Sequence, residues 1–246
     1  MNRTDAPRID RRTFLAAWAL LTLGWEKSFA DQPTYPTSVA GVALPRTPLC
    51  TKAYALCRTK APDFLLNHSA RTYLFGALHA AHHGQVFDPE SAFVAALMHD
   101  FGLLHQYASK SNSFEIDGAR EAERFAREQG ASAAEAKVIW NAIVMHDMRF
   151  AIASHESAEA TLVAAGAGAD VMGPDEAMFD PARVQEVLQA YPRLQFKKQF
   201  TALLVNHCSR KPGSQIGTWL EGFCQQHSPA MPSGTEQGIR DAPFTE

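Results

Sequence analysis

A chain of 246 residues, 46% hydrophobic and 20% charged, has an ordinary globular balance and is long enough for one domain with a sizeable core. A formal net charge of -3 supplies no basic field, so a nucleic-acid partner is not expected. No apolar run reaches the ~20 residues that a membrane-spanning helix needs.

The first thirty residues stand apart from the rest. Arg3, Arg8, Arg11 and Arg12 precede an apolar run from Phe14 to Trp25, and Ser28-Phe29-Ala30 follows it. Basic start, short apolar region and small-residue site, in that order, describe an export signal. Arg11-Arg12-Thr13-Phe14-Leu15 resembles the twin-arginine motif, whose pathway carries folded proteins. Residues 1–30 are therefore expected to be a leader, with an uncleaved amphipathic arm as the other possibility. Cleavage would remove five basic and three acidic residues and release a more acidic periplasmic or secreted product. If the signal is not used, the protein stays cytoplasmic. Residues 31–45, rich in proline and threonine, are expected to be a linker.

From about 46 to 226 the chain carries a succession of helix start and stop signals. Thr47 to Lys60 suits a first helix, and further helical stretches are expected over about 67–84, 155–167, 196–211 and 215–226. Asp88-Pro89-Glu90 sets a cap, a proline and an acid ahead of SAFVAALMHDF, which Gly102 ends. Asp117-Gly118 is expected to open AREAERFAREQ, with Asp117 as its cap. Ser132 and Glu135 form a capping box before AKVIWNAIVMH, and Asp180-Pro181 opens ARVQEVLQAY. Convincing strands are absent. The expectation is a single all-α domain followed by a loose tail over 227–246.

Four cysteines are compatible with an oxidising compartment without requiring one. On one helix Cys50 and Cys57 would be ~10.5 Å apart along the axis, beyond disulfide reach. A Cys208–Cys224 bridge, a cross-pair or free thiols all remain open.

The ten histidines separate by company. His79, His82 and His83 are neighbours at helical spacing, expected to be solvated, with a weak surface metal site as the alternative. His105, His155, His207 and His227 have no companions that argue for function. His68 lies near a helix start among apolar neighbours. Two dyads, His99-Asp100 and His146-Asp147, each close an apolar helix, where a charge without a partner would be costly to bury. Asp170 in GAGADVMG lies downstream of both.

The pattern His68…His99-Asp100…Asp170 resembles the HD superfamily of metal-dependent hydrolases. Within it, NHSARTYLFGAL, DPESAFVAALMHDFGL, FEIDGAREAERFA, VIWNAIVMH and GADVMG are similar to the cyanamide hydratase-type branch over about residues 46–215. The resemblance implies an all-α HD-type domain holding one divalent metal through His68, His99, Asp100 and Asp170. Zinc fits that donor set, with Fe2+, Mn2+ or Ni2+ as alternatives, and it would offset the burial of His99 and Asp100. The resemblance also places His146 near the water or substrate as a proton-transfer group, beside Asp100 as the other catalytic residue. A different register, with His99 upstream of His146-Asp147, would leave NHSAR unexplained. Arg71 is expected to pair with an acidic neighbour or approach substrate. Glu115 either orients a ligand histidine or faces solvent.

A bound divalent ion lowers the pKa of its water toward ~7, which serves either hydration of a nitrile-like carbon or hydrolysis of a phosphoester. Charge favours the first. Between His68 and Gly118 the only cations are Arg71 and Lys110, and from Gly130 to Ala182 only Lys137 and Arg149. A phosphate usually calls for more Arg or Lys around it, unless Lys197 or Lys198 folds in. The expected substrate is a small neutral molecule such as cyanamide or a nitrile. An HD-type phosphohydrolase and a non-catalytic ligand-binding domain are the two alternatives, and oligomeric state is not legible.

Overall fold

Local capping chemistry sets half of the described helix starts. In the computed structural model, which describes residues 35–148, 150–175 and 177–228, the first long element is α1 (Pro48–Lys60), where Thr47 accepts the Cys50 amide and proline takes the first turn. The expected leader and residues 31–34 of the linker lie outside the described residues, as does the tail beyond Ser228. Before α1, β1 (Ser38–Val39) and β2 (Val42–Ala43) pair antiparallel. Ala40 and Gly41 join them with φ of 52° and 77°, the turn geometry that suits a tight hairpin.

Nine further helices follow: α2 (Asp63–His82), α3 (Pro89–Met98), α4 (Phe114–Glu128), α5 (Ala133–Val144), α6 (Phe150–Glu156), α7 (Ala158–Met172), α8 (Pro181–Ala190), α9 (Phe196–Arg210) and α10 (Glu221–His227). The described residues are thus all-α apart from one minimal hairpin. Among them, no helix is long and apolar enough to cross a membrane. The Ser132/Glu135 capping box forms with both its hydrogen bonds, and Asp88 and Asp180 cap α3 and α8.

Two helix starts and ends differ from expectation. Helix α3 stops at Met98, so His99 and Asp100 lie in a turn that leads into a short 3-10 segment, Phe101–Leu103. Helix α4 begins at Phe114, three residues before Asp117, so Asp117 is not its cap. Asp117 is buried and accepts hydrogen bonds from the Ser109 amide and hydroxyl, from Asn112 and from the Lys211 ammonium. It anchors the preceding loop to the chain after α9.

Helix α3 is apolar on every side and sits at the centre, packed against α1, α2, α5 and α7. Two close glycine contacts decide where its neighbours lie. A Cβ on Gly166 of α7 would lie 1.9 Å from the Thr72 carbonyl oxygen, and one on Gly76 of α2 would lie 2.2 Å from that of Leu162. Likewise a Cβ on Gly102 would lie 1.9 Å from the Phe114 carbonyl oxygen, so the turn after α3 lies directly on α4. A second cluster, including Phe64, Leu103, Phe114, Phe196, Phe200 and Leu204, lies under α9 and α10. Within it Cys208 and Cys224 form a disulfide, while Cys50 and Cys57 are free and buried. Closing a loop of this size in the unfolded chain stabilises the fold by ~3 kcal/mol.

Because the α2–α7 contact is backbone on backbone, Gly166→Ala cannot be absorbed by a side-chain shift. It is expected to destabilise the fold by about 1–3 kcal/mol or more. Gly168→Ala, with nothing within 4 Å of its added methyl, should be neutral or stabilise by up to ~1 kcal/mol. Thermal unfolding of the two variants makes the comparison.

Candidate metal centre

The two imidazoles of the leading pattern reach one point from different elements. His68 projects from the second turn of α2, and His99 with Asp100 comes from the turn after α3; all three are buried. The His68 and His99 Nε2 atoms are 3.2 Å apart, and Asp100 Oδ2 lies 3.3 Å from the first and 3.2 Å from the second. All three donor atoms fall within 4.8 Å of one another.

The tautomers follow from the opposite ring nitrogens. His68 Nδ1 is 2.7 Å from the Asp170 carboxylate, and His99 Nδ1 is 2.8 Å from the Ala96 carbonyl oxygen. Each neutral ring therefore donates its single N–H outward. Two nitrogen lone pairs and a carboxylate oxygen then face one another, and Asp100 Oδ2 has no hydrogen-bond donor. Such an arrangement repels itself unless a cation or proton lies between the three atoms. The donor set, two imidazoles and a carboxylate with room for a water, suits a borderline divalent ion. The site's electrostatics respond to the same crowding. Burial alone would raise the Asp100 pKa, but positive charge on His99 and His68, when a proton lies between them and the carboxylate, holds it far below the carboxylate range. Burial alone would lower that of His68, but Asp100 and Asp170 raise it.

Asp170 departs from the four-ligand expectation. It touches His68 at Nδ1, on the side of the ring away from the cluster, and both its oxygens are filled. Oδ1 accepts from Arg71 Nε at 2.7 Å and Arg193 Nη1 at 2.8 Å; Oδ2 accepts from Arg71 Nη2 at 2.7 Å as well as from His68. Hydrogen bonds from His68 and Arg71 outweigh burial and keep Asp170 ionised. In this arrangement it lies behind His68 and outside the cluster of three donor atoms, a position from which a carboxylate orients the ring. Arg71 is wholly buried in this clamp and also donates to the Tyr191 and Pro192 carbonyls, so it does not approach substrate.

The second dyad meets the first. His146, in the turn after α5, donates from Nδ1 to the Ile143 carbonyl oxygen at 2.6 Å, which leaves Nε2 bare and 3.9 Å from Asp100 Oδ1. Burial and the nearby His99 depress its pKa to about 4. Asp147 lines the same cavity. Glu115 neither orients a ligand histidine nor faces solvent; it is buried beside Asp147, with Gln215 Nε2 donating to its Oε2 at 3.2 Å.

The cavity has a volume of about 310 Å³. His68, His99, Asp100, His146 and Asp147 form its polar wall, and Phe114, Ala164, Ala167, Val171, Phe200 and Trp219 are among its apolar ones. Among the described residues no lysine or arginine lines it. Lys197 lies instead with Arg193 at a separate cavity, and Lys198 is exposed.

Several residues that the sequence left without a role belong to this neighbourhood. Phe196 and Phe200 stack on each other and pack against His68; their i, i+4 spacing on a helix was a readable signal. Arg193 could be assigned to Asp170 only once the loop before α9 was placed. His207 is buried, and its Nε2 accepts from Gln215 Nε2 at 3.1 Å. His79 is buried and packs against His83 with the rings tilted, whereas His82 and His83 are exposed as expected.

Residues 65–177, which include His68, His99, Asp100 and Asp170, match the family model of the HD domain. The match supports the HD superfamily for this segment and, coarsely, a metal-dependent hydrolase. No curated protein matches the chain.

Two predictions follow from these contacts. Asp170→Asn, which weakens the hold on His68 and leaves two guanidiniums underneutralised, should lower zinc affinity 10–100-fold, measured by competition with a chromophoric chelator. The second concerns His207, whose pKa burial and the Lys211 charge depress to about 4. As pH falls below ~6.5 the unfolded chain binds this proton before the folded chain does, so stability drops toward pH 4. Urea unfolding of metal-free wild type and His207→Gln at pH 7 and 5 should show the variant losing about 1–2 kcal/mol less.

Proposed function

We propose that this protein is a metal-dependent hydratase or hydrolase that adds water to a small neutral molecule of the cyanamide, nitrile or isonitrile kind. The observation that carries this reading is the cavity wall. An anionic phosphoester needs cationic groups around its oxygens. Here the described wall has none, and the guanidiniums of Arg71 and Arg193 are held by Asp170. A cavity of about 310 Å³ with aliphatic and aromatic sides instead suits a small uncharged ligand oriented by a few polar atoms.

His68, His99 and Asp100 would hold the ion, with Asp170 fixing the His68 ring. Bound there, a divalent ion supplies positive charge against the substrate and a water acidified toward ~7. The protein's own groups account for the rest. Asp170 and the Ala96 carbonyl fix both ligand imidazoles as Nδ1–H tautomers. His146, held the same way by Ile143, presents a bare Nε2 that takes a proton from the attacking water. Phe114, Phe200 and Val171 keep bulk water from the reacting atoms and lower the local dielectric. Zinc is the proposed metal, and the HD-type phosphohydrolase, the commoner activity of this superfamily, is the competing assignment.

Metal analysis of the purified protein should find about one zinc per chain, lost in Asp100→Ala. The zinc-loaded enzyme should hydrate cyanamide or a simple nitrile and leave p-nitrophenyl phosphate intact. His146→Ala should lower kcat by ~10²–10⁴ with its zinc retained. Phosphoester turnover with two metals per chain would replace this assignment by the phosphohydrolase. No metal after reconstitution would leave a ligand-binding domain.

A further inference from the structure

Asp147 lines the cavity beside the cluster but takes no part in it. Its neighbour is Glu115, reaching in from the first turn of α4, and both carboxyl groups are buried. Two ionised carboxylates do not persist side by side away from water. The atom inventory says the same. Asp147 Oδ2 and Glu115 Oε1 are both buried and, among the described residues, neither meets a hydrogen-bond donor. One proton between them satisfies both atoms.

The surroundings decide which carboxyl carries it. Glu115 Oε2 accepts from Gln215 Nε2, and that amide is held in place because its own Oε1 accepts from the Thr218 hydroxyl at 2.7 Å. His207 lies next to the same amide. Asp147 has only a hydrogen bond from its own backbone amide to favour its charge. Its charged neighbours are Glu115 from α4 and Asp100 from the turn after α3, both negative, and neutral His146 precedes it in the chain. Burial first, then Glu115 and Asp100, raise its pKa well above the carboxylate range. The charge therefore rests on Glu115 and the proton on Asp147, the pattern by which two neighbouring carboxyls divide acid and base roles.

We propose that Asp147 is the catalytic acid of this site, held protonated by Glu115, and that it donates to the atom of the substrate multiple bond that gains electrons when water adds. The inference rests on the hydratase assignment. For a nitrile, the water oxygen bonds to carbon while its proton passes to His146 Nε2. One C–N π bond opens, and its electron pair takes the Asp147 proton, giving an imidic acid. The hydroxyl proton of that acid then returns to Asp147, and His146 delivers its proton to nitrogen. The product is the amide, and both residues regain their starting forms. The two adjacent residues thus move protons in opposite directions, and no external acid is consumed.

The test uses the full chain loaded with zinc at pH 7. Infrared difference spectra of wild type against Asp147→Asn should show the carbonyl stretch of one protonated carboxyl, shifted in D2O. Glu115→Gln, which removes the partner charge, should weaken that band. With cyanamide, Asp147→Asn should keep its zinc, leave KM within a few-fold and lower kcat ~10²–10⁴-fold. Absence of the band from zinc-loaded wild type, or unchanged kcat in Asp147→Asn, overturns the proposal. So does a second zinc that disappears with Asp147→Asn, because Asp147 would then be an ionised ligand. Wild type that shows the band but hydrates neither cyanamide nor nitriles overturns the hydratase assignment, and the donor role with it.

Discussion

Three electron pairs pointed at one another are the constraint on which this structure turns. His68 and His99 spend their ring protons outward, on Asp170 and the Ala96 carbonyl, so their inner nitrogens face Asp100 bare. A packed protein interior does not keep such an arrangement without a compensating charge. The rest of the charge pattern reads as its consequence. Asp170 must be ionised to orient His68, so it needs a buried counter-charge, which Arg71 supplies through two parallel hydrogen bonds. Arg71 must in turn be satisfied, and the Tyr191 and Pro192 carbonyls do that.

That chain of dependence runs through backbone packing. His68 and Arg71 come from α2, Asp170 from α7, and they meet because Gly76 and Gly166 let the two helices approach to backbone contact. The turn bearing His99 and Asp100 is pressed on α4 in the same way at Gly102, which also brings Glu115 into the interior. Small residues far from the chemistry therefore fix its geometry. A methyl group at either contact would have to move a helix, and with it one of the groups around the cluster.

The end of α5 shows how burial divides labour between neighbours. His146 and Asp147 are adjacent in sequence, and both are less easily charged than in water, but with opposite results. An imidazole that resists charging is a base at neutral pH, and a carboxyl that resists charging is an acid. Apolar walls at Phe114, Val171 and Phe200 favour both neutral forms. The same walls, free of lysine and arginine among the described residues, are unsuited to a bulky anion.

How much of this was legible beforehand depends on how local each feature is. Helix starts at Asp88, Ser132 and Asp180 could be read directly, because a capping side chain acts within three residues of itself. The all-α class, and the grouping of His68 with His99 and Asp100, were also within the sequence's reach, since residue types and their order carry them. Asp117 looked like a cap but became a buried loop anchor, because Lys211 arrives from 94 residues away. Asp170 looked like a fourth ligand but became the carboxylate behind His68, because Arg71 and Arg193 converge on its oxygens from two other segments. Glu115 and Asp147 gave no sign of being partners, being 32 positions apart, one on α4 and the other in the turn after α5. What the sequence by itself determined was composition, helical content and the donor atoms available. Which of those atoms face a common point, and which are neutralised before they reach it, only the tertiary structure decided, because electrostatic partnership depends on distance in space and not along the chain.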